Sequence, residues 1–401
     1  MTSTLDGPTT MSSARIRFAL LALALGGFGI GCTEFVAMGL LPEIARGLLP
    51  QIYAASPTAA NAQAGWIISA YALGVVVGAP TIAAVAARLP RKQLLLWLLV
   101  AFTLGTVASA LAPTFQLVLL ARFVSALPHG AYFGIASLVA ASLMGPGKRG
   151  RGVAFVLSGL TIANVVGVPL ITWLGQAHGW RIAYLVVAAI FALTFVAVAL
   201  LVPWQKGDPR ATMANELKAF GRIQVWLALL IGAIGFGGFF AVYTYVAPMV
   251  TTVTGLSPSA VPLVLILIGV GMTVGNLVGG WAADRDLKRG MLFFFALLLV
   301  GLAALFFTAF SVAGLLISLF VIAAALNHSA LNVANAAGAF LGGLTIAAGY
   351  GYLSPIVVGA ALGLAGVVLA LVSFSIDRSR ERRRVDTGVV HAQRAEPVPI
   401  D

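Results

Sequence analysis

The stretch Leu21–Glu43, LALALGGFGIGCTEFVAMGLLPE, decides how the rest of the chain is interpreted. It is longer than the roughly 18 apolar residues that mark a membrane-spanning helix, and glycines are concentrated in its middle. One carboxylate, Glu34, lies inside it. A charged side chain within a membrane span is costly and marks a functional site by default. Glu34 is therefore the first candidate for a proton-carrying residue.

The composition is that of a membrane protein. The chain has 401 residues, of which 60% are hydrophobic and 9% are charged, against about 25% charged residues in a typical soluble domain. The formal charge of +12 does not indicate nucleic acid as a partner, because nearly all basic residues lie in short gaps between apolar runs. The single cysteine, Cys32, excludes an intrachain disulfide framework and suits a small packing residue. The first apolar run is too long for a cleaved signal peptide.

The apolar runs predict an all-α protein that crosses the membrane many times. Predicted spans cover about 18–41, 63–86, 94–112, 115–144, 152–175, 182–202, 222–250, 259–282, 290–310 and 352–375, and a further apolar run covers 313–349. Of 24 Lys and Arg residues, 21 lie in the N-terminus, in the gaps after the second, fourth, sixth and eighth spans, and in the tail. By the positive-inside rule these segments are cytoplasmic. We expect a multi-pass protein of the cytoplasmic (inner) membrane of a prokaryote.

An internal repeat divides the chain into two halves. Residues 1–17 are predicted as a cytoplasmic N-terminus, 18–202 as a six-helix bundle, 203–221 as a cytoplasmic linker, 222–375 as a shortened second bundle and 376–401 as a cytoplasmic disordered tail. Glycine and proline residues of the first span have identical residues 206 positions later, in the second half. For residues of the second span the distance to the matching residues is 197 positions, and for the fifth span it is 171. Such repeats are typical of secondary transporters.

The second half is shorter than the first by about one membrane span, because the offset between matching positions falls from 197 to 171. The run 313–349 is too long for one comfortable helix across a ~30 Å core and too short for two spans and a turn. The sequence therefore shows 11 clear spans, and two explanations stay open. One is a squeezed or re-entrant tenth segment, and the other is a deletion.

Glu34 and Arg122 are the two clearly intramembrane charges, and we place both at a similar depth, roughly 10–12 Å from the outer face at ~1.5 Å per residue. An ion pair would favour the ionised carboxylate, and its loss would favour protonation. Alternation between these states is a plausible proton switch. The other interpretation is a static ion pair that fixes packing.

Other polar residues in the spans are candidates for the substrate cavity: His129, His328, Asn164 and Asn335. Each histidine could titrate near neutral pH or bind substrate, or could be a hydrogen-bonded packing residue. The two asparagines occupy matching positions of the repeat. They suit either a substrate site between the halves or interhelical hydrogen bonding.

Candidate gating residues are drawn from glycines, prolines and the basic turns: Gly78, Arg88, Arg91, Lys92, Gly167, Pro169, Asp284 and Arg285. The two turns recur at the same offset, so they could be a shared gating contact as well as topology determinants. No P-loop, metal-binding cluster or catalytic cluster is visible in the sequence, so we expect no enzyme activity and no cofactor.

Together these motifs resemble one known family. They are Thr33–Phe35 with Gly39–Pro42, Ser69–Tyr71, Gly78–Pro80, the basic turn after the second span, Arg122 with His129 and Gly130, Ala163–Asn164 with Gly167–Pro169, Gly179–Arg181, and Leu331–Asn335. The chain resembles the major facilitator superfamily, in its twelve-span drug:proton antiporter branch, and the arabinose-efflux-permease-like proteins in particular. The resemblance implies two pseudo-symmetric helical bundles, alternating access, and a proton-coupling role for Arg122.

Two departures from the family pattern stand out. Ala87 replaces the acidic residue usual in the basic turn after the second span, and the segment usual between spans 10 and 11 is missing. The function predicted is proton-coupled antiport that exports a small organic compound, a sugar or a drug, by a monomer in the lipid bilayer. The alternatives are a proton-coupled nutrient importer and a non-transporting pseudo-transporter.

Overall fold

The structure is a computed structural model, and it describes residues 12–86, 89–207, 221–326 and 331–393. Within these ranges the regular elements are helices, and none is a strand. Ten helical segments in the described part of the chain are long and apolar enough to cross a membrane. The prediction of an all-α membrane protein is confirmed.

Helices fill most of the first half of the chain. Their bounds are α1 Ser13–Gly39, α2 Leu41–Leu48, α3 Pro50–Ala55, α4 Pro57–Ala64, α5 Trp66–Ala86, α6 Arg91–Leu111, α7 Phe115–Ala126, α8 His129–Met144, α9 Arg149–Ile162, α10 Val168–His178 and α11 Trp180–Leu201. A π-helical turn, Ala163–Gly167, joins α9 to α10.

The second half also consists of helices. Its helices are α12 Ile223–Gly235, α13 Gly237–Thr244, α14 Val246–Pro248, α15 Val261–Thr308, α16 Val312–Ala324, α17 Leu331–Thr345 and α18 Ser354–Gln393. Two π-helical turns, Met249–Val253 and Ile346–Tyr350, and one 3₁₀ turn, Pro258–Ala260, complete it. The 48-residue α15 is two helices joined at a kink, because Asp286 has non-helical backbone angles (φ −156°, ψ 96°).

The two ends of the bundle differ in charge. We call the end with the basic turns at 145–151 and 284–289 the inner end, following the positive-inside rule, and the end with the turns at 112–114, 178–180 and 309–311 the outer end. In the first half α1 packs against α9 and α11, and in the second half α12 and α13 pack against α18. The helices approach closely at glycines: a side chain on Gly238 would lie 2.5 Å from the carbonyl oxygen of Gly359.

Contacts between the halves lie in their outer parts. There α5 packs along α17, and α10 and the π-helical turn pack against α15. The Trp66 and Phe340 rings are 6.3 Å apart, and Ser69 donates a hydrogen bond to the carbonyl of Ala336 (3.2 Å). The bundle is therefore closed at its outer end.

Two segments outside the predicted spans are helical in the structure. Residues 42–62 lie between the first two predicted spans, and the structure forms three short helices there, each with a proline in its first turn. The last helix continues to Gln393, whereas the sequence predicted a disordered tail from residue 376. Arginine has a high helix propensity, and the tail is rich in it, so the span can extend as one helix.

The apolar run 313–349 is divided between α16 and α17. The 13-residue α16 is about 20 Å long at ~1.5 Å per residue, which is shorter than a ~30 Å hydrocarbon core. The first residue of α16, Val312, is the counterpart of Phe115 at the offset of 197, and the first residue of α17, Leu331, is the counterpart of Leu160 at the offset of 171. The missing segment therefore corresponds to α8, most of α9 and the turn between them. In the first half these are the inner halves of two membrane spans.

Candidate functional site

Glu34 lies on α1 where the two halves meet. The residue is 4% exposed. Its Oε1 accepts a long hydrogen bond (3.4 Å) from Nδ2 of Asn335 on α17, and its Oε2 is 3.9 Å from Nε2 of His129 on α8. The carboxylate thus contacts one residue from each half. A change in its protonation state would alter a contact that joins the halves.

Arg122 on α7 is fully buried, and it binds the residue next to Glu34 rather than Glu34 itself. Its Nη1 donates to the hydroxyl of Thr33 (2.9 Å), and its Nη2 donates to the carbonyl of Thr33 (2.7 Å). Its guanidinium also lies 4.0 Å from the ring centre of Tyr71 and 5.3 Å from that of Tyr184. The matched depths of Glu34 and Arg122 suggest an ion pair, but the hydrogen bonds of the guanidinium go to the Thr33 oxygens.

Tyr71 connects the arginine to the carboxylate. Its ring stacks on Arg122, and its hydroxyl is 3.3 Å from Nδ1 of His129, whose other nitrogen faces Glu34. A tyrosine hydroxyl that donates to Nδ1 leaves the ring hydrogen on Nε2, where it points towards the carboxylate. Arg122, Tyr71, His129, Glu34 and Asn335 form a continuous chain, which we call the polar chain.

Tyr71 lies in the motif Ser69–Tyr71, which does not reveal the role of its tyrosine. The sequence does show that Tyr71 and Arg122 lie at similar depths, because each is near the start of a helix, α5 or α7, that begins at the outer end. Helix contact could not be deduced from depth alone. Thr33 could not be identified from the sequence, because one of the two groups that accept from Arg122 is its backbone carbonyl, which every residue has.

The two asparagines that occupy matching repeat positions have different surroundings. The amide nitrogen of Asn335 donates to Glu34, whereas Asn164 lies in the π-helical turn. The Oδ1 of each is buried without a hydrogen-bond partner. The backbone carbonyl of Asn164 is packed against Gly269 of α15. Asn164 therefore lies at the contact between the halves, and among the described residues no hydrogen bond joins it to the polar chain.

Gly167 and Pro169 bring α10 close to α1. A side chain on Gly167 would lie 2.5 Å from the sulfur of Cys32, and Pro169 stands in the first turn of α10, where it needs no hydrogen-bond donor. Cys32 is buried as a packing residue.

The basic turns make contacts within their own halves. Arg91 Nη1 is 3.4 Å from Oε1 of Gln205, and Lys92 donates to the carbonyl of Ala199 (2.7 Å). Arg285 lies over the ring of Trp281 (3.7 Å), and Asp284 is exposed. Gly78 lets α5 pack directly on the backbone of Leu127. Arg88 and His328, also candidates, lie outside the described residues.

Hydrogen bonds across the halves close the outer end. Asn61 Nδ2 donates to the hydroxyl of Tyr352 (2.7 Å). The hydroxyl of Tyr245 donates to the carbonyl of Ala339 within its own half (2.9 Å) and lies 3.5 Å from the carbonyl of Ala62 in the first half. Gly65 and Gly343 flank the Tyr245 hydroxyl so closely that neither has room for a side chain. In the part of the chain that the structure describes, no group of three or more His, Cys, Asp and Glu side chains could hold a metal ion.

Comparison with known proteins places this architecture in a family. The model of the Major Facilitator Superfamily matches residues 23–327. The inner membrane transport protein YdhP of Escherichia coli K12 is 39% identical over 392 residues, covering 92% of this chain and 98% of YdhP. A chloramphenicol resistance protein of Streptomyces lividans is 32% identical over 384 residues, covering 88% and 95% of the two chains.

Solved structures share the fold. A bacterial homologue of the human lysosomal transporter Spinster, in an inward-facing and occupied conformation, superposes with a TM-score of 0.68 at 16% identity over 91% of this chain and 98% of that one. The D-xylose–proton symporter superposes with a TM-score of 0.64 at 18% identity, over 88% and 97% of the two chains. The predicted fold and family are confirmed: the chain is not an enzyme, and it belongs to the Major Facilitator Superfamily of membrane transporters.

Proposed function

We propose that this chain is a proton-coupled antiporter that exports a small organic compound, and that Glu34 carries the proton. The observation that carries the proposal is the position of Glu34, buried between His129 of the first half and Asn335 of the second. Export is supported by similarity to a protein named for chloramphenicol resistance.

The polar chain suits a proton-dependent change of shape. An ionised Glu34 accepts from the amide of Asn335 and is attracted by the nearby charge of Arg122. A protonated Glu34 is neutral, so the attraction to Arg122 disappears and one carboxyl oxygen becomes a donor. The amide of Asn335 then donates to a neutral carboxyl, which is a weaker acceptor than a carboxylate, and we infer that protonation weakens this link between the halves. A ligand shifts the balance between two conformations only if it binds one of them more tightly than the other. The proton meets this condition if Glu34 contacts Asn335 in one conformation and not in the other.

The cavity residues complete the proposal. His129 and Asn335 flank the carboxylate, and we assign them to the substrate site. A substrate that takes hydrogen bonds from the same groups competes with the proton, and such competition is the simplest basis of antiport. We assign Arg91, Lys92, Asp284 and Arg285 to the inner gate. The contacts described for Arg91, Lys92 and Arg285 in this outer-closed state stay within their own halves, and Asp284 is exposed.

The test is substrate-driven proton movement in proteoliposomes loaded with a pH-sensitive dye. Chloramphenicol and a panel of neutral sugars are added outside. An antiporter moves protons opposite to the compound, so the lumen becomes more alkaline as the compound enters. A symporter acidifies the lumen, and this result would replace export by proton-coupled import.

The shortened second half supports a second candidate, a pseudo-transporter. The helix α16 has 13 residues, and a gate built from inner helix halves would be incomplete. If none of the compounds moves protons, α8 and most of α9 with their connecting turn can be grafted between α16 and α17. Flux restored by the graft would favour the pseudo-transporter, and flux in the unaltered chain would exclude it.

A further inference from the structure

A tyrosine of the second half reaches the first half at the outer end. Tyr245 lies between α13 and α14 and is fully buried. Its hydroxyl donates to the carbonyl of Ala339 on α17, in its own half (2.9 Å), and lies 3.5 Å from the carbonyl of Ala62 on α4, in the first half. The side chain is therefore fixed by its own half, and its hydroxyl end contacts the other half.

Two glycines leave the space that the phenol of Tyr245 occupies. A side chain on Gly343, in the last turn of α17, would lie 2.4 Å from the Tyr245 hydroxyl, and one on Gly65, between α4 and α5, would lie 2.2 Å from it. Both distances are far below the ~3.5 Å of ordinary van der Waals contact. Gly343 therefore makes room for the phenol within the second half, and Gly65 makes room for it in the first half. We call the space at Gly65 the socket.

The conformation of Gly65 does not require glycine. Its backbone angles (φ −56°, ψ −24°) lie in the right-handed helical region, which any residue adopts and in which alanine is more stable than glycine. The requirement for glycine at this position is therefore steric, and it comes from a side chain of the other half.

The matching position of the first half has no such side chain. At the offset of 206, Tyr245 corresponds to Gly39, the last residue of α1. A side chain on Gly39 would lie 2.8 Å from Leu265 of α15. At both places the second half supplies the side chain and the first half supplies the glycine, so the closed outer end depends on the absence of side chains at two positions of the first half.

We propose that Tyr245 is the locking residue of the outer end. Its phenol occupies the socket when the halves are closed there and leaves it when they open. A methyl group on Gly65 overlaps the phenol in the closed state alone, so it raises the free energy of that state and shifts the population towards an open outer end. The polar chain is not altered by this change.

A distance measurement across the outer end tests the proposal. Spin labels are attached to Pro113→Cys and Phe310→Cys, which are exposed, lie in outer turns of the two halves and correspond to one another at the offset of 197. The single native cysteine, Cys32, is replaced by alanine. Pulsed electron paramagnetic resonance of the protein in lipid nanodiscs then gives the ratio of short to long distances. We expect Gly65→Ala to lower this ratio about tenfold. The control is Gly134→Ala, where no described atom lies within 4 Å of an added side chain, and it should leave the ratio unchanged.

A second variant separates the lock from a general loss of packing. Tyr245→Leu removes the phenol, so the alanine at position 65 has room, and Gly65→Ala should change the ratio less than about twofold in this background. Tyr245→Leu by itself leaves the socket empty and should lower the ratio by a smaller factor, roughly threefold.

Three results would overturn the proposal: an unchanged ratio in Gly65→Ala, an equal change in Gly134→Ala, or the full tenfold effect of Gly65→Ala in the Tyr245→Leu background. If Gly65→Ala does not fold, Tyr245→Leu alone decides, and an unchanged ratio in that variant would also overturn it. None of these measurements uses protons or substrate, so the result is independent of the proposed function.

Discussion

The two halves place different side chains at the same positions of the repeat. At the offset of 197, Tyr71 and Arg122 correspond to Ile268 and Leu319. Tyr71 and Arg122 stack on one another, and Ile268 and Leu319 line a common small crevice. The backbone arrangement is therefore repeated, while the polar groups are present in one half and replaced by apolar ones in the other.

The same contrast holds on the first helix of each half. Glu34 corresponds to Phe240 at the offset of 206, and both are buried. The second half contributes Asn335 to the polar chain and no charge. We infer that the first half holds the proton and that the second half responds to it. The predictions below break or restore this asymmetry.

The largest effect is expected from Leu319→Arg, which gives the second half the charge of the first. Leu319 is 2% exposed and shares an apolar crevice with Ile268, so its neighbours there offer a guanidinium no carboxylate. An unpaired charge inside a membrane protein costs about 3 kcal/mol or more. We expect an apparent Tm lower by more than about 5 °C in a thermal unfolding assay. Leu319→Met is the control, and a Tm unchanged in both variants would show that this site holds polar groups after all.

The reverse change, Arg122→Leu, makes the first half resemble the second. Two hydrogen bonds to Thr33 and the attraction to Glu34 are lost, so we expect coupled proton flux to fall about 100-fold, since charged hydrogen bonds contribute ~1.5–3 kcal/mol each. Arg122→Lys keeps the charge without the two-point geometry and should retain more flux than Arg122→Leu. Equal flux in the two variants would mean that neither charge nor geometry matters at this site.

The paired asparagines give a smaller effect. Asn335→Ala removes the amide that joins the second half to Glu34, and we expect a loss of coupled flux of about fivefold to tenfold, for ~1 kcal/mol. Asn164→Ala is the matched control, because among the described residues no hydrogen bond joins Asn164 to Glu34, whereas Asn335 donates to it. The measurement is proton flux in proteoliposomes. A larger loss in Asn164→Ala would move the substrate site towards the π-helical turn.

The smallest effect concerns Glu43, which lies outside the membrane spans. Burial raises the pKa of this carboxyl, so the folded protein holds its proton more tightly than the unfolded chain does. The stability that comes from this proton is present at acidic pH and is lost as the pH rises from the unfolded pKa, ~4.3, through the higher folded value.

Glu43→Gln removes that loss. We therefore expect the Tm of the variant, relative to the unaltered protein, to rise by roughly 1–2 °C between pH 4 and pH 7 in a thermal unfolding series. A relative Tm that falls with pH would show that Arg46, and not burial, dominates the environment of Glu43.

Much of the fold could be predicted from the sequence, because apolar runs and the asymmetry of basic residues each reflect the bilayer directly. The deficit in the second half was also visible as a fall in the repeat offset, but its place was not. The offsets bracket it between Arg289 and Leu331, and the bounds of α16 were needed to show that inner helix halves are missing.

The candidate site was less predictable. Depth in the membrane brought out Glu34 and Arg122, yet it carries no information on which way a helix is rotated. The partner of Arg122 is Thr33, the residue before Glu34. Neighbouring residues on a helix point in directions about 100° apart, so Thr33 and Glu34 face different partners. Asn164 and Asn335 looked equivalent in sequence because the repeat hides the different packing of the two halves.

The most direct test is proton release on substrate binding. The purified protein is placed in weakly buffered detergent solution, and the pH is followed as a transported compound is added to the unaltered chain, Glu34→Gln and Glu43→Gln. We expect about one proton released per chain from the unaltered protein and from Glu43→Gln, and none from Glu34→Gln, provided that all three bind the compound. Release that persists in Glu34→Gln would contradict the assignment of the proton to Glu34.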